Sequence, residues 1–154
     1  EAAGKSVHTI ALNKVANLRG CQSCYGCKRA GRCVVNDGTQ TILDEIREAE
    51  GVVLATPTYF DEAAAQLKEV TDRFFGFLTG DFKSNLNPGK KAAVVVSCGG
   101  GLDGAQVLAD RLLKQCAVCG FAPVGKIVVS DPAMAQQTDT PEVKAEAARL
   151  AAKL

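Results

Sequence analysis

Three stretches of the chain carry short continuous apolar runs instead of alternating. They are GVVLATP from Gly51, AAVVVS over 92–97 and KIVVS over 126–130. Short unbroken runs of this kind, rich in Val and Ile, mark strands buried on both faces. Ser6 to Asn13 (SVHTIALN) alternates and carries β-branched residues, which predicts a fourth strand. Between the runs the period changes to that of helices. One helix is expected from about Thr41 to Glu48, capped by Asp37 or Thr39, with Ile42, Leu43 and Ile46 inward. A long one is expected over DEAAAQLKEVTDRFFGFL, capped by Asp61, another from Ala105 to Cys119, and a last one from Pro141. Strands alternating with helices give an α/β fold with a parallel sheet covered on both faces. No repeat or linker divides the chain, so residues 1–154 read as one domain.

In such sheets ligands bind beyond the carboxyl ends of the strands. Three segments follow strands there: the loop after SVHTIALN, TPTYFD after GVVLA, and CGGGLDG after AAVVVS. We expect them to gather along one edge of the molecule.

Composition narrows the chemistry. Eighteen basic and seventeen acidic residues leave a net charge of +1, which argues against nucleic-acid binding through a clustered basic excess. No apolar run approaches the ~20 residues that cross a bilayer, and the first twenty residues lack the apolar stretch of a signal peptide, so a cytoplasmic protein is expected. A single histidine, His8, excludes His-rich zinc centres and facial-triad iron sites built from this chain alone, and we assign it a structural role. Seven cysteines stand out, four of them within thirteen residues: Cys21, Cys24, Cys27 and Cys33. Gaps of two, two and five on a glycine-punctuated loop let four thiolates converge, the ligand pattern of a [4Fe–4S] cluster. Zinc and a set of metal-free thiols remain the alternatives. Cys116 and Cys119 lie in a helical pattern and are assigned to packing. Gly99, Gly101 and Gly104 match a dinucleotide fingerprint, but a lone GxGxxG is weak. Its surviving content is that backbone without Cβ admits close approach of a flat ligand.

Taken together, GCQSCYGCKRAGRCVVND, AEGVVLATPTYFDEAAAQLKEVTDRF and AAVVVSCGGG resemble the NADPH-dependent FMN reductase and iron–sulfur flavoprotein family of the flavodoxin-like superfamily. The likeness rests on the four cysteines, Pro57-Thr58-Tyr59-Phe60, Gln66-Leu67-Lys68 with Asp72-Arg73, and Gly99-Gly100. Where relatives often carry paired acids after the last motif cysteine, this chain has Asp37-Gly38.

The resemblance implies a flavodoxin-like, doubly wound parallel sheet and noncovalent FMN. Thr56, Pro57, Thr58, Tyr59 and Phe60 would line the ring, with Gly99, Gly100 and Gly101 approaching from the other side. Cys21, Cys24, Cys27 and Cys33 would hold a [4Fe–4S] cluster relaying electrons between the flavin and a small-molecule or ferredoxin-like partner, with NAD(P)H a candidate substrate. No acid, base or nucleophile is named, because the flavin carries the chemistry. Two rival readings are a cluster-free NAD(P)H-dependent FMN or quinone reductase, and a non-enzymatic four-cysteine metal-binding module. Val70 and Phe77 are left over on the long helix once its sheet-facing stripe is assigned, which predicts a homodimer or homotetramer. Finally, the family's first strand, phosphate loop and first helix find no match before SVHTIALN, and EAAGK reads as a helix tail. We therefore expect an N-terminally incomplete domain, and no residue is nominated for the FMN phosphate.

Overall fold

A computed structural model describes residues 4–131 and 139–154. The reading of EAAGK falls partly on residues 1–3 and so lies partly outside them. Five helices and four strands follow in the order α1 (Gly26–Ala30), α2 (Gly38–Glu48), β1 (Gly51–Tyr59), β2 (Glu62–Ala63), α3 (Ala65–Asp72), β3 (Lys91–Cys98), α4 (Leu102–Val118), β4 (Ala122–Ser130) and α5 (Pro141–Ala151). The sheet order is β2-β1-β3-β4. β1, β3 and β4 are parallel, while β2 meets β1 antiparallel through Thr58↔Ala63 and Tyr59↔Glu62. The fold is the expected flavodoxin-like α/β class. Among the described residues, no helix is long and apolar enough to cross a membrane.

The apolar runs form the sheet, but the expected burial on both faces holds for β3 and not for β1, whose Val53, Ala55 and Pro57 are exposed. Leu54 on β1 and Ala92, Val94 and Val96 on β3 point to one face, where they meet Ile42, Leu43, Leu67, Val70, Phe74 and Leu108. On the other face Ala93 and Ile127 pack under Leu150 of α5. α2 begins where Asp37 accepts a hydrogen bond from the Gln40 amide at 3.0 Å, and α5 where Thr140 accepts from Val143 N at 3.3 Å. Both are side-chain N-caps. Apart from Thr58 and Tyr59, the outer edge of β1 has no strand partner among the described residues. Val53 beside it is 49% exposed.

Three expectations are corrected. SVHTIALN is not a strand: it runs as irregular chain into a single 3-10 turn, Leu12–Lys14. Alternation favours a strand only where a neighbour supplies the ladder, and here Ile10, Leu12 and Val15 pack against the helical side of the core instead. The helix expected from Asp61 starts at Ala65, because Glu62 and Ala63 turn back on β1, and beyond Asp72 it tightens into a 3-10 turn, Arg73–Phe77. Val70 and Phe77 are 2% and 1% exposed, so the row on which oligomerisation was argued is core.

Candidate functional site

The carboxyl ends of β1 and β3 lie side by side, with Pro57 opposite Ser97. This register brings two of the expected segments together. After β1 the chain reverses through Phe60 and Asp61, both with positive φ (51° and 61°), a two-residue hairpin turn usually made from Asn and Gly. Holding Phe in the left-handed region is costly. The turn is over-determined from several sides. Thr56 Oγ1 accepts from Ala64 N at 3.0 Å and donates to the Pro57 carbonyl at 2.8 Å. Arg111 of α4 donates to the Asp61 carbonyl at 3.1 Å and to Glu62 at 2.7 Å. The consequence is display: Phe60 is fully exposed and Tyr59 is 62% exposed. Neither is packing at a strand end. Thr56, by contrast, is buried and its hydroxyl is committed to closing the hairpin.

At the neighbouring end of β3, no described residue lies within 4 Å of the position a Cβ would take at Gly99, Gly100 or Gly101. A planar group can therefore approach this backbone directly. The turn is held from behind by Ser130 Oγ, which donates to the Gly100 carbonyl at 2.7 Å, and by the Cys98 thiol. Gly104 has a different task. A Cβ there would stand 2.2 Å from Asp61 Oδ1, so the third glycine of the fingerprint lets the hairpin close on α4. An exposed aromatic pair at one strand end and open glycine backbone at the adjacent one suit the ring of a flavin, and the residues present fit that group.

Cys21, Cys24, Cys27 and Cys33 line a single small cavity with Gly20, Tyr25, Arg73, Phe75 and Gly76. Burial, and then the neighbouring Cys33, Cys21 and Cys24, push the Cys27 thiol up, against the opposing pull of Lys28. Chemically this is a soft, four-thiol donor set, suited to iron–sulfur or zinc ligation. Among the described residues no three His, Cys, Asp or Glu side chains stand in a ready-made ligand arrangement. The donors fit by type and by shared cavity.

α1 carries Cys27 and is pinned by Lys28, whose Nζ donates to the carbonyls of Phe75 (2.6 Å) and Leu78 (2.7 Å) and sits 3.3 Å from the centre of the Phe75 ring. Cys33 packs on Gly76, where an added Cβ would stand 3.3 Å from its amide. Arg73 is 1% exposed. Its Nη1 bonds to Asp37 at 2.5 Å, and its Nη2 donates to Cys33 Sγ at 3.1 Å and to the Val35 carbonyl at 2.8 Å. Burial works against its charge, but Asp37 and Cys33 outweigh it and hold its pKa above the ordinary value. Asp37 thus serves both the α2 cap and this ion pair. Sequence reasoning placed Arg73 in a motif without a role, since hydrophobic period does not reveal a buried guanidinium. One charge signal was readable: from Ala2 to Asn36 the chain has six Lys and Arg and no acid.

The cysteine cavity does not join the other two segments. It lies against the 3-10 turn beyond the C-terminal end of α3, whereas the hairpin precedes its N-terminal end. Eight helical residues separate them by about 12 Å. α4 repeats the separation, with Gly104 against Asp61 at one end and Cys119 bonded to the Phe74 carbonyl at the other. Cys116 and Cys119 are buried, as expected for packing, and burial pushes their thiols up to about 12 and about 11. His8 is exposed and paired with Glu45 at 2.6 Å.

Residues 1–136 match the family model described as NADPH-dependent FMN reductase. An iron–sulfur flavoprotein of Methanocaldococcus jannaschii is 37% identical over 84 residues, covering 54% of this chain and 43% of that one. An iron–sulfur flavoprotein of Archaeoglobus fulgidus is 30% identical over 105 residues, covering 68% of this chain and 52% of its own length. The chain thus spans about half the length of these curated relatives. Among solved structures, an oxidoreductase from Corynebacterium diphtheriae superposes with a TM-score of 0.57 at 16% identity, over 78% of this chain and 61% of that one. An NADH:FMN oxidoreductase gives 0.55 at 21% identity, over 80% and 60%. At these identities the structures speak to the fold.

Proposed function

Starting from a chain that belongs to the NADPH-dependent FMN reductase family, we propose that this protein is an FMN-dependent oxidoreductase whose four-cysteine cavity holds an iron–sulfur cluster as a second redox centre. The observation that carries the reading is the pairing of an exposed Tyr59–Phe60 hairpin with the open Gly99–Gly101 turn at adjacent strand ends. FMN bound there would supply two-electron exchange with a reduced nicotinamide and one-electron exchange with a cluster. The chain's own part is to hold and orient the ring. The strained turn at Phe60 and Asp61, clamped by Arg111, fixes one wall, and the glycine backbone forms the other. Amides near the ring would stabilise its anionic reduced form and so tune its potential.

Cys21, Cys24, Cys27 and Cys33 would ligate the cluster, which supplies single-electron storage. The names of the two archaeal relatives support this assignment. The surrounding Lys28 and Arg73 supply positive charge near a donor set that is anionic when ligating. Cys116 and Cys119 take no part.

A second reading is a cluster-free NAD(P)H-dependent FMN or quinone reductase. It is favoured by one observation, the lack of a ready-made three-ligand arrangement among the described residues. A four-cysteine metal-binding module without flavin is the third. Anaerobically purified protein separates them by absorption spectrum with iron and FMN quantitation. Flavin bands with a broad iron–sulfur shoulder support the proposal, flavin bands alone support the second reading, and no flavin supports the third. Replacing any one of the four cysteines by Ala should lower bound iron, while Cys116→Ala and Cys119→Ala should not.

A further inference from the structure

We infer that Arg73 is a positioning residue for the four-cysteine site, orienting Cys33 through an N–H···S hydrogen bond and setting the reduction potential of the metal centre held there. The inference rests on the proposal that these cysteines ligate an iron–sulfur cluster.

Arg73 reaches both flanks of the cysteine segment. Its Nη1 lies 3.4 Å from the carbonyl of Arg19, two residues before Cys21, and its Nη2 lies 2.8 Å from the carbonyl of Val35, two residues after Cys33. Those bonds, with Asp37, would suffice to tie the loop. Yet Nη2 also meets Cys33 Sγ at 3.1 Å. Reaching the sulfur has a visible cost. The ion pair with Asp37 is made through one nitrogen and one oxygen, leaving Arg73 Nε and Asp37 Oδ2 buried without a partner among the described residues. A side-by-side, two-bond pairing is the stronger arrangement for arginine and a carboxylate. The guanidinium gives it up and turns one edge of its fork to a thiol. Gly76 completes the arrangement, since its missing side chain lets the 3-10 turn press Cys33 toward Arg73.

Hydrogen bonds to ligand sulfurs and local net charge are among the factors that set cluster potentials. Reduction adds one electron to the centre, and a buried cation donating to a ligand sulfur stabilises that added charge. Arg73 therefore raises the potential. Asp37, 6% exposed at the side chain, partly cancels the same charge and lowers it. The two partners of one ion pair should then act with opposite signs, which a purely structural role does not produce.

The test is an EPR-monitored redox titration of the full chain, purified anaerobically, as wild type, Arg73→Lys, Arg73→Gln and Asp37→Asn. Arg73→Gln should move the midpoint to more negative potential, and Arg73→Lys less far in the same direction. Asp37→Asn should move it to more positive potential with iron content unchanged, because Asn caps α2 as well as Asp. Loss of the hydrogen bond should also shift the Fe–S(Cys) stretching bands in resonance Raman spectra of Arg73→Gln. Unchanged midpoints, or shifts of the same sign at both positions, overturn the inference. If the Arg73 variants fail to fold, Asp37→Asn decides alone: a positive shift supports the role, and none or a negative one refutes it. Wild-type protein without iron overturns the cluster reading before any variant is made, and the inference with it.

Discussion

Replacing Lys28 by Met should loosen the cysteine cavity and destabilise the domain by about 2 kcal/mol, after discounting for the half-exposed position of the ammonium. Met keeps the apolar stem while removing the charge, so the loss isolates what the head contributes. Lys28 Nζ donates to two carbonyls, at 2.6 and 2.7 Å. Hydrogen bonds from a charged donor are worth roughly 1.5–3 kcal/mol each when buried. The Phe75 carbonyl also accepts from Leu78 N at 3.2 Å, so it stays satisfied in the variant. The substitution therefore removes both bonds and the contact with the Phe75 ring, and the loss is moderated because the Phe75 carbonyl keeps a second donor. The ring contact contributes about 0.5–1 kcal/mol at an exposed site. For a chain of this length, about 2 kcal/mol lowers Tm by roughly 4–8 °C. Thermal unfolding followed by circular dichroism measures this, and a cycle with Phe75→Leu isolates the ring's share. A shift under 1 °C in Lys28→Met would refute the view that this side chain fastens α1 to the 3-10 turn.

Three further outcomes are expected. Phe60→Gly should raise stability by about 1 kcal/mol, because glycine adopts the left-handed conformation without cost, while weakening FMN binding; urea denaturation and flavin fluorescence titration read the two effects. Gly104→Ala should weaken FMN binding about tenfold, roughly 1.4 kcal/mol, since the new methyl displaces Asp61 and with it the hairpin; equal Kd values for variant and wild type would break that link. Alkaline pH should destabilise the fold through Cys116. Burial pushes its thiol from the ordinary 9.0 up to about 12 in the folded chain, so its contribution is intact below pH 9 and is lost as pH rises between those values. Cys116→Val should flatten that part of the stability profile.

The elements legible in the sequence are those whose signals are local. β1, β3 and β4 announce themselves through the apolar runs VVLA, AAVVV and IVV, and α2 and α5 through Asp37 and Pro141 at their starts. What failed to show depends on partners distant in sequence. SVHTIALN has a strand's alternation but no ladder beside it, and its Ile10 and Leu12 find burial without one. The segment from Asp61 to Leu78 is apolar enough for one helix. Its hairpin start follows from Thr56 bonding Ala64, and its 3-10 end from Phe74 and Phe77 meeting Phe121. At the candidate site the four cysteines were visible by spacing and do share a cavity. Their distance from the flavin-type loops was not visible, because it depends on which end of α3 the cysteine segment packs against.

The outer edge of β1, open among the described residues over Gly51 to Pro57, bears on how this 154-residue chain behaves in bulk. Over Gly51 to Pro57 it carries no charged side chain, the feature by which natural edge strands usually repel their like. Backbone donors and acceptors beside a half-exposed Val53 can template a strand from another molecule. Glu50 and Pro57 interrupt such growth only at its two ends. Encounters between two such edges scale with the square of concentration, so shelf life should fall steeply as solutions are concentrated. A lysine in place of Val53, set where the strand meets solvent, should extend it without touching either candidate site.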